Sequence, residues 1–133
     1  MMFLGAFRPQ MIGMGPFIPH HGTPFRNFPA GGKEDTLFLL SLCRIMLPSV
    51  LLPATTALGT VSGDGRKLGV LAGANVIMPN LSPISQRKKY MLYDNKAITG
   101  EDAAESLAVL QKHLDEIGYS LVVSRGDYKE ERP

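Results

Sequence analysis

Thr55 and Thr56 are the residues whose type and position are best suited to chemistry. They follow the apolar run that starts at Val50, so they fall at the C-terminal end of an expected strand. Two adjacent hydroxyls and their backbone N–H groups suit an anionic group such as a carboxylate. Threonine is also a good strand former, and on pattern alone simple completion of the strand is the commoner reason for both residues. Met78, Pro79 and Asn80 hold the equivalent place after the next apolar run, Ala74 to Met78. A methionine there more often fills an irregular core gap than faces a ligand. Tyr90 and Tyr93 are three apart, so on a helix they share a face, either over a pocket or in ordinary packing.

The remaining candidates are weaker. Gly13-Met14-Gly15 lacks the third glycine and following helix of a dinucleotide fingerprint. It suits the close approach of a flat ligand to the backbone. His20 and His21 are adjacent, and adjacent residues seldom chelate one ion; no carboxylate or cysteine stands at useful spacing, so no metal site is expected. Gly63-Asp64-Gly65-Arg66 reads as a turn or a small anion nest. Arg87-Lys88-Lys89 reads as a solvated face, and Cys43 as an inert buried thiol. The sequence has no Gly-x-Ser-x-Gly, no usable Cys/His pair and no His-Glu-x-x-His.

The elements that must position these residues alternate in type. Gln10 to Pro16 reads as a strand buried on both faces, because apolar residues run through it without polar alternation. Phe17 to Lys33 reads as a proline-rich and glycine-rich loop, long enough to be functional. A helix is expected from an Asp35 N-cap to Leu47, stopped by Pro48, with apolar residues around nearly its whole circumference. Val50 to Leu58 is the next expected strand, with a turn over 59–65. A short helix then runs to Ala72, capped by Asp64 or Ser62 and ended by Gly73. Ala74 to Met78 is the third strand. Arg87 to Tyr93 suits a helix, and Thr99 caps another from about Gly100 to Ile117, with Leu107, Leu110, Leu114 and Ile117 as its apolar stripe and Gly118 as its stop. Tyr119 to Ser124 reads as a short strand before a charged tail. Strand, polar loop, helix and strand again is the pattern of consecutive βα units in a parallel barrel, whose chemistry sits in loops at the strand C-termini.

The 133 residues suit one domain, and a closed barrel of eight units takes about 250. At 44% hydrophobic and 20% charged, the chain can fill a core. A net charge of +2 points to neither nucleic acid nor an anionic membrane as partner. One cysteine rules out an internal disulfide and any all-cysteine metal site. A reducing cytoplasm fits best. The apolar stretch Leu37 to Leu47 is too short to span a bilayer.

Four segments together resemble one family. Met11-Ile-Gly-Met-Gly-Pro-Phe-Ile-Pro-His20, followed by Thr23-Pro24, is similar to the sixth-strand segment of radical S-adenosylmethionine enzymes of the biotin synthase group. Pro53-Ala-Thr-Thr-Ala-Leu-Gly-Thr60, Gly73-Ala-Asn-Val-Ile-Met-Pro-Asn80 and Lys89-Tyr-Met-Leu-Tyr-Asp-Asn-Lys96 narrow the resemblance to the FeFe-hydrogenase maturases of that group. It covers roughly Met11 to Tyr128. It implies a barrel that holds a 4Fe-4S cluster and S-adenosylmethionine, from which one electron releases a 5′-deoxyadenosyl radical. It further implies that Gly15, Pro16, Phe17 and Ile18 lie near the adenosine. On the same ground Thr55 and Thr56 bind an anionic group, and Met78, Tyr90 and Tyr93 line the cavity near the substrate.

The sequence departs from that family in its first third. The cluster-binding Cys-x3-Cys-x2-Cys is absent, and Cys43 alone does not replace it. Ala97, Ile98 and Ser106 stand where many family members carry accessory cysteines, so no second cluster is expected. The resemblance therefore implies an α/β fold, a partial TIM-type barrel. Residues 1–96 would supply strands six to eight, and 97–133 the C-terminal helix, short strand and tail. As the C-terminal part of a maturase gene, this chain is expected to be inactive and weakly stable alone. Its expected partners are the missing N-terminal half-barrel or a second copy, and a small anionic substrate, with no nucleic acid and no membrane. A non-catalytic interaction module or a small-anion-binding module is the alternative.

Overall fold

A computed structural model describes residues 1–78, 84–87 and 103–129 of the chain. The described residues form an α/β structure in which three short parallel segments share one small open sheet. The middle segment is β1 (Pro53–Ala54), paired in parallel with β2 (Val76–Ile77), Pro53 opposite Val76 and Ala54 opposite Ile77. On its other side Met11 forms an isolated parallel bridge to Leu51. There Leu51 N–H donates to Gln10 O at 2.9 Å and Ile12 N–H to Leu51 O at 3.0 Å. Asn75 acts as an extra rung: Leu52 N–H donates to Asn75 Oδ1 at 2.8 Å, while Asn75 N–H donates to Leu52 O at 2.9 Å.

Parallel neighbours require crossovers, and helices supply them here. One helix, α1 (Met2–Phe7), precedes the first segment. The sequence gives that stretch no helical assignment, yet Phe3 and Phe7, one turn apart, stack at 5.5 Å with an interplanar angle of 9°. The second helix, α2 (Lys33–Met46), connects the first and second segments. It starts two residues before the expected cap: Gly32 is the N-cap, and Asp35 joins Glu34 in the first turn, where negative charge suits the helix dipole. Its buried positions Thr36, Leu40, Cys43 and the following Leu47 form one stripe at helical spacing. Apolar residues around nearly the whole circumference imply burial on most sides, and this is corrected: Phe38, Leu39, Ile45 and Met46 remain exposed. The described elements cover only the stripe.

The second crossover consists of α3 (Thr56–Val61) and α4 (Gly65–Leu71). The strand expected over 50–58 therefore stops at Ala54. Thr55 adopts extended backbone (φ −74, ψ 158) and its side chain accepts from Leu58 N–H, turning the chain into a helix three residues before the expected end. Capping wins over strand propensity because it satisfies a backbone donor the new helix would otherwise leave open. Gly73 (φ 109) follows α4 as expected. The two helices pack tightly: a Cβ on Gly65 would lie 2.1 Å from Leu58 O, and one on Gly69 would lie 3.2 Å from Ala54 Cβ. The core beneath them is Leu40, Cys43, Val50, Leu52, Ala54 and Leu58, with Ile12, Leu47 and Ala74 at its margins.

The short helix α5 (Ile84–Arg87) reaches the first residue of the helix expected over 87–93; the rest of that expectation lies outside the described residues. The last helix, α6 (Ala103–Asp115), buries Leu110 and Leu114, and Gly118 (φ 76) follows it; the Thr99 cap lies outside the described residues. Lys67 of α4 meets Glu116 just past α6 at 2.7 Å. The strand expected over 119–124 is absent. Leu121 N–H donates to Gln111 Oε1 at 2.8 Å, and Val122 and Val123 are 78% and 94% exposed. A strand needs an edge to pair with, and here a glutamine takes up a backbone donor instead.

Candidate functional site

Because the three segments run parallel, their C-terminal ends share one edge of the sheet. Gly15 to Ile18 leave from the first segment, Thr55 and Thr56 from β1, and Met78 from β2. The closest documented approach is between the first two. A Cβ built on Gly15 would lie 2.7 Å from Thr55 Oγ1 and 3.5 Å from Ala57 Cβ, so only glycine fits without displacing Thr55. Pro16 is buried, Ile18 half-buried, and Phe17 45% exposed. Gly31 N–H donates to Phe17 O at 2.8 Å, which ties the far end of the loop back to its start. Phe17, Phe25 and Phe28 meet edge to face within that loop, at 6.4 and 5.5 Å.

Each threonine hydroxyl oxygen accepts from a protein donor. Leu58 N–H donates to Thr55 Oγ1 at 3.4 Å, and Arg66 Nη2 donates to Thr56 Oγ1 at 3.5 Å. The Arg66 stem lies against Gly59, with Cγ 3.4 Å from where its Cβ would be. The sequence places Arg66 in a turn or a small anion nest, not beside Thr56. Its one sequence signal is its spacing, ten residues past Thr56 and just beyond a glycine turn. Met78 is 47% exposed, one residue beyond the strand end. Tyr90 and Tyr93, expected on the same cavity, lie outside the described residues, as do Pro79, Asn80, Lys88 and Lys89.

Gly63 and Asp64 form a turn that leads into α4 at Gly65. Gly65 N–H donates to Ser62 O at 2.8 Å, and Ser62 Oγ donates to the Asp64 carboxylate. That hydrogen bond holds the Asp64 carboxyl below the usual carboxylate range. Asp64 stands at the N-cap of α4, but its side chain caps nothing. His20 and His21 stack at 4.3 Å, and His20 Nδ1 accepts from Gly22 N–H at 3.0 Å. No group of three or more His, Cys, Asp or Glu side chains converges among the described residues.

Cys43 bears on the iron–sulfur expectation. It is 1% exposed inside the core, and burial pushes its thiol pKa up, away from the thiolate a cluster iron requires. A single buried thiol does not fit the three-cysteine donor set of such a cluster. At the strand-end edge, Gly15 carries no side chain beside Thr55, and the Phe17 ring is exposed. A separate cavity of about 530 Å³ lies elsewhere, lined by Met11, Ala74, Asn75, Val76, Leu114 and Tyr119 among others. No helix among the described residues is long and apolar enough to cross a membrane.

No family model matches the chain. Individual relatives do. Over 118 residues, 89% of this chain, it is 40% identical to the FeFe-hydrogenase maturase subunit HydE of Thermotoga maritima. It is 35% identical over 86 residues to a 3-methylornithine synthase of Methanosarcina barkeri, and 26% identical over 110 residues to that of Methanosarcina acetivorans. These matches cover 34%, 24% and 30% of the relatives, so the chain spans about a third or less of each. The resemblance drawn from the strand-end motifs thus holds: the chain is homologous to a segment of the radical S-adenosylmethionine enzymes represented by the hydrogenase maturase and the 3-methylornithine synthases.

Proposed function

We propose that this chain forms the C-terminal part of a radical S-adenosylmethionine hydrogenase maturase, a partial TIM-type barrel contributing one wall of the cofactor and substrate cavity. The observation that carries this reading is the contact of Gly15 with Thr55 on a shared strand-end edge, in a chain 40% identical to the maturase over 118 residues. Gly15, Pro16, Phe17 and Ile18 would hold the adenosine side of the cofactor, with the missing Gly15 side chain letting this segment lie against Thr55. Thr55 and Thr56 would orient an anionic substrate group through their hydroxyl protons. Met78, with Tyr90 and Tyr93, would exclude water from the far side of the substrate. When bound beside a reduced cluster, S-adenosylmethionine supplies a carbon–sulfur bond that one electron can break.

The cluster thiolates must come from another polypeptide or segment, since Cys43 does not fit that role. The partner in this reading is the N-terminal half-barrel carrying Cys-x3-Cys-x2-Cys, in a reducing cytoplasm. The test is to combine the purified chain, without oxygen, with a reconstituted N-terminal segment of the maturase and measure 5′-deoxyadenosine. Neither part alone should form it, and the mixture should. Two parts that associate and bind a cluster yet form none would sink the proposal.

A second reading, an interaction module without catalysis, draws on the exposed apolar side of α2 at Phe38 and Ile45 and the bare rings of Phe3 and Phe7. Such surface on a monomer marks a contact face. Sedimentation separates the readings: an interaction module associates with a partner lacking the cysteine motif, whereas the barrel reading requires the partner that carries it.

A further inference from the structure

Both threonine hydroxyls at the strand end are oriented by donors from the protein itself. A hydroxyl offers one proton and two acceptor lone pairs. At Thr55 a lone pair receives Leu58 N–H, and at Thr56 a lone pair receives the Arg66 guanidinium. Donors on the oxygen leave each hydroxyl proton to be given to an acceptor. A cation on the oxygen also polarises the O–H bond, so the proton it presents is a stronger donor. Arg66 comes from the next helix and is held in place by its stem along Gly59. Its position depends on Gly65, whose missing side chain lets α4 lie directly on the Leu58 carbonyl.

We infer that Arg66 is a positioning residue, one that fixes and polarises the Thr56 hydroxyl as a donor to a carboxylate or similar oxyanion. The inference rests on the reading of Thr55 and Thr56 as the anion-binding pair, and deepens it by naming what orients them. It also specifies the ligand's chemistry. Hydroxyl protons strengthened in this way favour the strongest acceptor, an ionised oxyanion, over the weaker carbonyl of a neutral amide of the same shape.

The test uses the chain itself, isotope-labelled, with acetate and then acetamide titrated at constant ionic strength while the Thr55 and Thr56 amide signals are followed. Four proteins form a double-mutant cycle: the parent, Thr56→Val, Arg66→Met and the double variant. Acetate should give a saturable shift in the parent and acetamide a markedly weaker one. Arg66→Met should weaken acetate roughly tenfold, the scale of one charge-assisted hydrogen bond. In the Thr56→Val background the same change should cost less than twofold, because the cation acts through that hydroxyl. Equal losses in both backgrounds would overturn the inference while leaving the anion site standing. No saturable shift in the parent would remove the anion site and the inference with it. If Arg66→Met fails to fold, Arg66→Gln closes the cycle: it retains a stem along Gly59 without the charge, and the same non-additivity is expected.

Discussion

Gly65→Ala tests the packing on which the candidate site depends. The added Cβ would lie 2.1 Å from Leu58 O and 2.7 Å from Leu58 C, both backbone atoms within α3. Real Cβ contacts essentially never fall below 3.0 Å, so α4 must withdraw from α3 by about 0.9 Å. Neither side of the clash is a flexible side chain. The cost therefore falls near the top of the range for overpacking, about 3 kcal/mol. Replacing glycine also removes freedom from the unfolded chain, which returns about 0.5 kcal/mol. The net loss is about 2.5 kcal/mol, or about 10 °C in melting temperature for a domain of this size. The matched control is Gly63→Ala, two residues earlier in the same turn, where nothing lies within 4 Å of the new Cβ. That variant should melt at or slightly above the parent temperature. Thermal denaturation followed by far-ultraviolet circular dichroism decides it. A Gly65→Ala protein melting within about 2 °C of the parent, or both variants falling together, would refute the claim that α4 lies on the Leu58 carbonyl.

Two further outcomes are expected. Asn75→Ala should destabilise the sheet by about 1–3 kcal/mol, because Leu52 N–H, which donates to Asn75 Oδ1, loses its partner beside a fully buried side chain; Asn75→Asp, which keeps the acceptor, should cost less in a urea titration. The Glu116 carboxyl is held below its ordinary value of 4.5 by the hydrogen bond from Lys67, so its contribution is present above that value and is lost as pH falls through the lowered folded value; the melting-temperature gap between parent and Glu116→Gln should close over that acid window, and a gap persisting below it would show the pair is not its source.

Much of the helical and turn structure could be read from local residue order. Pro48 ends α2, Gly73 and Gly118 follow α4 and α6, and the Leu110 and Leu114 stripe is buried, because each depends on backbone restriction or helical spacing within a few residues. The strand ends were harder. Thr55 has strand propensity and cap propensity at once, and only the position of Leu58 N–H decides between them. Residues 119–124 have the β-branched composition of a strand, yet pairing requires a neighbour that composition does not specify. The exposed side of α2 is beyond local residue order for the same reason, since an apolar helix is buried only if other elements reach it.

For the site, the sequence by itself determined the parts: a small residue at Gly15, paired hydroxyls at Thr55 and Thr56, Met78 after a strand, and a cysteine count too low for a cluster. Those follow from residue identity and from motifs long enough to mark a family. The tertiary structure alone decided which parts meet. It placed Gly15 against Thr55, forty residues away in sequence, and delivered Arg66 from α4 to Thr56 at the start of α3. Such contacts depend on parallel pairing and on the close seat of α4 on α3, which arise from long-range packing rather than from local preference.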